Sequence, residues 1–199
     1  MNPVKPRLTF EEYLEYDDQT DSRYELIDGA LTALPPESEP NDAIANYLFL
    51  VLVNLGIPFR LIKPHTCEVQ VSVLQAGDAQ NRFPDLVVLR EEHLALTQKR
   101  LTIKLDMPPP LLVAEVVSPG QTNRNRDYQR KRAQYFDRGI AEYWILDPKT
   151  ETLTVFQLNL AQNSHQYVEG GEFRENDLIL SDVFPDLQLT VEQIFGAGK

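Results

Sequence analysis

The chain of 199 residues is poor in several things at once. It has one cysteine, three histidines, two methionines and one tryptophan, and its 19 basic residues are outnumbered by 30 acidic ones, for a net charge of −11. A lone Cys67 cannot close an intramolecular disulfide, which excludes a secreted disulfide scaffold and a cysteine-rich zinc module. His65, His93 and His165 stand in unrelated polar contexts with no ligand spacing, so zinc is not expected. Long apolar runs are missing too. The longest charge-free stretch, Ala43 to Phe59, contains Asn46, Asn54, Gly56 and Pro58 and falls short of the ~20 apolar residues of a membrane span. It reads as a buried helix. No apolar leader follows Met1 to Pro6, so a secretory signal is not expected and a cytoplasmic location is. The shortage of basic charge also counts against long-lived, non-specific binding to a polyanion, because the field of the whole molecule repels phosphate.

What is present suits one soluble globular unit. The 42% hydrophobic and 25% charged content is ordinary, the length is that of one domain, and no repeat or linker divides residues 1–199. Thr9 and Glu12 have capping-box spacing, which predicts a short helix to about Tyr16. Asp28-Gly29 between two apolar tetrads predicts a hairpin. Apolar residues at 44, 48, 51, 52 and 55 recur at helical spacing, and Gly56 and Pro58 stop that helix. Phe59 to Ile62, Cys67 to Leu74 and Phe83 to Arg90 are β-rich. Leu111 to Val117 is almost wholly apolar, as a central strand covered on both faces would be. Asn123 to Arg138 reads as a polar helix closed by Gly139, and Glu142 to Leu146 as a strand. Short strands are expected near Phe173, Leu178 to Leu180 and Leu187 to Leu189. The class implied is α/β: a mixed sheet flanked by helices in the order αβββαβ, with an N-terminal helix and hairpin and C-terminal strands.

Two acids are out of place in this pattern. Asp85 begins an apolar strand, on the side of Val87 and Leu89, and Glu115 is the one charge within Leu111 to Val117. A carboxylate inside a central strand costs several kcal/mol unless a cation, a metal or hydrogen-bond donors meet it. Two on neighbouring strands repel each other, and a divalent cation between them removes both costs; oxygen ligation suits Mg²⁺ or Mn²⁺. The following helix has the opposite sign. Residues 124–138 hold six basic and two acidic side chains, a local +4 that leaves −15 for the rest of the chain. On a regular helix Arg124, Asp127, Lys131, Tyr135 and Arg138 share an arc of ~80°. Two acids and one lysine so placed would suit attack by water on a phosphodiester.

At this point the residues resemble a known group. Phe83-Pro84-Asp85-Leu86-Val87-Val88, Ala114-Glu115-Val116-Val117-Ser118-Pro119, Arg126-Asp127 with Lys131 and Tyr135, and Gly139 to Pro148 resemble the PD-(D/E)XK superfamily. They are most similar to its endonuclease family multiplied in cyanobacterial genomes. Thr9 to Leu14 and Arg23 to Gly29 match that family's N-terminal blocks, so the likeness runs from about residue 8 to residue 156. It implies a restriction-endonuclease-like core, a metal site at Asp85 and Glu115 with the main-chain carbonyl of Val116 as a further ligand, and an additional acid at Glu25. The alternative for Glu25 is a cross-strand partnership with a basic residue such as Arg23 or Lys63. One departure matters: the lysine of the motif would fall at 117, which is valine, and the resemblance transfers its role to Lys131 on the next helix. Asp127 and Tyr135 would hold that lysine, and Arg124, Arg126 and Arg130 could meet the phosphate backbone. A nucleic acid, DNA before RNA, is the implied partner, and a homodimer would suit cleavage of both strands. The rival expectation is a nuclease fold that has lost activity and serves as a binding or regulatory module. Tyr143 and Trp144 read as core aromatics rather than base-stacking platforms.

Overall fold

Thr9 opens α1 (Phe10–Leu14) through the expected capping box: its hydroxyl accepts the Glu12 N–H while the Glu12 carboxylate accepts the Thr9 N–H. The computed structural model describes residues 7–20, 22–159 and 166–197; Met1 to Pro6 and His165 lie outside the described residues. The hairpin follows as β1 (Tyr24–Ile27) and β2 (Ala30–Ala33), with φ +49° at Asp28 and +78° at Gly29. Such a turn needs positive φ at both central positions. At Gly29 a Cβ would also come within 2.8 Å of the Arg7 Cβ, so glycine is required there twice over. Ser38 caps α2 (Glu39–Asn54), whose Ile44, Leu48 and Leu52 are buried at the predicted spacing.

The strands that follow are β3 (Ile62–Pro64), β4 (Glu68–Gln70), β5 (Asn81–Arg82) and β6 (Leu86–Val88). After them come α3 (His93–Leu96), β7 (Thr102–Ile103) and β8 (Leu112–Val116). Residues 121–137 form one helical run in three parts: α4 (Gln121–Asn125), a π-helical turn (Arg126–Lys131) and α5 (Arg132–Asp137). Gly139, at φ +78°, ends it where expected. The chain continues through β9 (Glu142–Asp147), β10 (Thr152–Asn159), β11 (Gln166–Arg174) and α6 (Val191–Gly196).

Six strands make the central sheet in the order β11-β10-β9-β8-β6-β3, antiparallel except where β8 runs parallel to β9. This is the expected αβββαβ core: α2, then β3, β6 and β8, then the helical run, then β9. The run Cys67 to Leu74 departs from that expectation. Its β4 leaves the sheet and joins β5 and β7 in a separate three-stranded sheet, because its N–H and C=O groups pair with Arg82, Asn81, Thr102 and Ile103. Phe59 to Leu61 forms a 3-10 turn rather than a strand. Near Leu178 and Leu189 the expected strands reduce to an isolated bridge between Leu178 and Thr190.

Two cores lie on opposite faces of the sheet. On one, α2 and α6 cover Leu86, Val88, Leu112, Ala114, Val116 and Trp144. Against the other, the 121–137 run packs Tyr135 onto Val87, Val113, Tyr143 and Ile145. Trp144 and Tyr143 are both buried, as core aromatics. Among the described residues, no helix is long and apolar enough to cross a membrane.

Candidate active site

Strand pairing brings the two misplaced acids together. Leu86 pairs with Ala114 in an antiparallel register, so one step further along Asp85 and Glu115 face each other across β6 and β8. Both are buried. Asp85 Oδ2 accepts the N–H of Val116 at 2.6 Å, which fixes the carboxylate at the end of β8 beside the Val116 main chain. Glu115 is held at both oxygens: Oε1 accepts the Tyr135 hydroxyl at 2.6 Å and Oε2 accepts Lys131 Nζ at 2.7 Å. Burial pushes the Glu115 carboxyl up to about 7; Lys131 pulls against that, while Asp85 and Asp127 add to it.

Lys131 comes from the last position of the π turn. It is buried and lies 3.1 Å from Asp127 Oδ1, one helical turn back, as well as on Glu115. Burial works against its ammonium, yet Glu115 and Asp127 outweigh that and hold its pKa above the ordinary lysine value. Tyr143 donates its hydroxyl to the Asp127 carbonyl at 3.0 Å, tying the π turn to β9. The widened turn replaces the regular helix expected from the sequence, and single π turns inside helices are frequent at functional sites. Asp127, Lys131 and Tyr135 nonetheless share the sheet-facing side. Arg124 and Arg138 turn elsewhere: Arg124 pairs with Asp147, and Arg138 donates to the carbonyls of Lys104 and Met107.

Glu25 stands in a different partnership. Arg82 Nη1 lies 3.0 Å from both of its oxygens, and the same guanidinium donates to Gln134 Oε1 at 2.7 Å. The basic partner is thus Arg82, not Arg23 or Lys63. Arg126 reaches Asp127, and Arg130 donates to the carbonyls of Ala76 and Gly77 at 3.0 Å. Each of Arg124, Arg126 and Arg130 is more than a third exposed, so each is engaged within the chain and still open to solvent.

Two residues of the site, His65 and Glu37, bear no mark in the sequence. His65 adopts φ +53°, its N–H donates to the Asp85 carbonyl at 2.9 Å, and its own carbonyl accepts from Arg23. Its Nδ1 lies 3.4 Å from Asp85 Oδ1 and its Nε2 3.3 Å from Asp42 Oδ1. Burial lowers the tendency of its ring to protonate, but Asp85, Glu37 and Asp42 more than reverse that. Glu37, exposed just ahead of α2, completes the group: Glu37, His65 and Asp85 can each place one ligand atom within 4.8 Å of the others. No local spacing links Glu37, His65 and Asp85, which lie in three separate segments. The donor chemistry fits a divalent cation: opposed carboxylates on one side of Asp85, and the Glu37 carboxylate and the His65 ring on the other. Alongside, between the start of α2, the 117–121 loop and the end of β9, a cleft of about 640 Å³ is lined by Ser118, Gln121, Arg124 and Lys149.

A mixed sheet flanked by helices, with β8 and β9 the parallel pair and the acids at the end of β6 and within β8, is the restriction-endonuclease-like architecture. The chain belongs to the Uma2 family, described as "Putative restriction endonuclease", whose model matches residues 10–192. Its fold is similar to that of a solved protein from Anabaena variabilis ATCC 29413, titled a "putative nuclease belonging to DUF820". The TM-score is 0.66 and the identity 18%, with 96% of this chain and 99% of that one covered. No curated protein matches the chain.

Proposed function

We propose that this protein is a divalent-metal-dependent endonuclease, acting in the cytoplasm, that hydrolyses phosphodiester bonds of DNA. The observation that carries the reading is the pair of buried acids, Asp85 and Glu115, opposed on adjacent strands with Lys131 2.7 Å from one of them. Asp85, Glu115 and the main-chain carbonyl of Val116 would hold Mg²⁺ or Mn²⁺. When bound, such a cation neutralises charge on the scissile phosphate and lowers the pKa of water.

The chain's own groups do the rest. Lys131 keeps its proton, because Glu115 and Asp127 hold its pKa up. It therefore serves as a fixed positive charge beside the developing phosphoryl oxyanion and not as a base, and in a water-poor pocket that charge is worth more than in solvent. Tyr135 and Asp127 orient Glu115 and Lys131. Glu25 acts at one remove, through Arg82 and Gln134, on the helical run that carries the lysine. Arg124, Arg126 and Arg130 would meet backbone phosphates by exchanging their present partners, with Lys149 on the cleft rim. The rival reading, a non-catalytic binding module, rested on valine at 117 and on the net acidity of the chain; Lys131 against Glu115 supports catalysis instead.

The test is cleavage of duplex DNA with Mg²⁺ or Mn²⁺ by the wild type and by Asp85→Ala, Glu115→Ala and Lys131→Ala. Wild-type cleavage with a loss of at least about 100-fold in each variant is expected, on the scale of removing one transition-state-stabilising group. Equal activity in all four proteins would sink the assignment.

A further inference from the structure

Asp85 has two oxygens, and they face different company. Oδ2 is taken up by the Val116 N–H on the Glu115 side, whereas Oδ1 looks toward the imidazole of His65, 3.4 Å away. On that second side the ligand atoms of Glu37, His65 and Asp85 converge within 4.8 Å. The histidine is held there against local preference. Its φ of +53° lies in the left-handed region that non-glycine residues seldom occupy, and it is kept there by the bond from its N–H to Asp85 and by the bond from Arg23 to its carbonyl. A strained backbone, pinned at both ends, that delivers a ring to a carboxylate calls for a role beyond packing. The ring's far nitrogen is buried and, among the described residues, has the carboxylate of Asp42 beside it, 3.3 Å away. Metal-ligating histidines commonly have this surrounding: one nitrogen toward the ion, and a carboxylate behind the other to fix the tautomer.

We infer that His65 is a cation ligand. Through Nδ1, with Asp85 Oδ1 and Glu37, it forms a nitrogen-containing position next to the all-oxygen one of Asp85 and Glu115, with Asp42 as the carboxylate that orients the ring. The inference rests on the reading of Asp85 as a cation ligand. Its consequence is ion choice. Mg²⁺ keeps oxygen ligands, whereas imidazole nitrogen favours first-row transition cations, so this site should take a transition dication in preference to Mg²⁺.

The experiment uses the full chain with Mn²⁺ alone. Titration calorimetry measures Mn²⁺ and Mg²⁺ affinity, and pulsed electron paramagnetic resonance asks whether a ¹⁴N nucleus is bonded to bound Mn²⁺. The variants are His65→Asn, since asparagine tolerates the left-handed backbone, and Glu37→Gln, at an exposed position where folding is not at stake. The expected result is ¹⁴N coupling in the wild type that vanishes in His65→Asn. Mn²⁺ should then bind more weakly by at least the ~10–100-fold that loss of an outer-shell partner costs, with Mg²⁺ much less affected. Glu37→Gln should weaken Mn²⁺ while keeping the ¹⁴N signal. Binding of Mn²⁺ that needs Asp85 and Glu115 but shows no ¹⁴N coupling and ignores His65→Asn overturns the role of His65 and leaves the proposed function standing. A folded wild type that binds no Mn²⁺ overturns both.

Discussion

On β8, Ala114 and Val116 point into one core while Val113 and Glu115 point the opposite way, and on β6 Leu86 and Val88 alternate in the same manner with Asp85 and Val87. One face of the sheet is therefore built from aliphatic residues and Trp144 under α2 and α6. Its buried acid, Glu142, accepts bonds from Trp144 Nε1, Ser181 and two backbone N–H groups. The other face, made by the same strands one residue out of phase, buries Asp85, Glu115, Lys131 and Asp127. The apolar face gains stability in proportion to the area it removes from water. The other face buries an apolar core of its own around Tyr135, Tyr143, Val113 and Ile145; its charges add little net to that, since desolvation offsets attraction, and what they hold in return is a lysine and two carboxylates in fixed mutual geometry. Both sides of the sheet thus supply stability through buried apolar cores, while the chemistry is confined to one.

The division predicts different responses to damage. Largest should be Trp144→Ala on the apolar face, where truncating a side chain only 1% exposed should cost about 3–5 kcal/mol in urea unfolding. Across the sheet, Lys131→Met should cost about 3 kcal/mol at pH 8, because buried Glu115 must then either stay charged without its counter-ion or take up a proton. Adding Glu115→Gln to that variant should recover most of the loss. Simple additivity of the two changes would mean that the charged face is held together like the apolar one, and the contrast would fail.

Smallest is the effect of His93, buried at the edge of the charged side. Its Nδ1 accepts the Arg90 N–H at 3.0 Å and its Nε2 donates to the Pro108 carbonyl at 2.8 Å. Burial, opposed in part by the Pro108 bond, lowers its pKa from the ordinary 6.5. The unfolded chain then takes up a proton that the folded one resists, so this contribution is complete above about pH 6.5 and is lost as pH falls below it. Unfolding free energies between pH 6.5 and pH 5 should drop more steeply for wild type than for His93→Gln. Parallel curves would remove His93 from the account.

Much of this was legible in the chain. Thr9 with Glu12, Asp28-Gly29 and Gly139 each named a cap or turn that the structure contains, because such signals depend on neighbours within a few residues. Asp85 and Glu115 stood out because an acid in an apolar strand needs a partner wherever that strand packs. The π turn at 126–131 was not legible, since a regular helix places Asp127, Lys131 and Tyr135 on one side as well. His65 carried no mark at all: its importance arises from a backbone angle and from company 20 residues away.

By itself, then, the sequence determined the alternation that sends successive side chains of each strand to opposite faces, the points where the chain turns, and the two acids that cannot be left unpaired. Only the tertiary structure decided that β4 leaves the central sheet, that Glu25 is matched by Arg82 57 positions along, and that Glu37, His65 and Asp85 meet. The reason is range. Periodicity and turn chemistry are settled among residues adjacent in the chain, whereas strand order and the meeting of distant side chains depend on which surfaces exclude water together once the whole chain has folded.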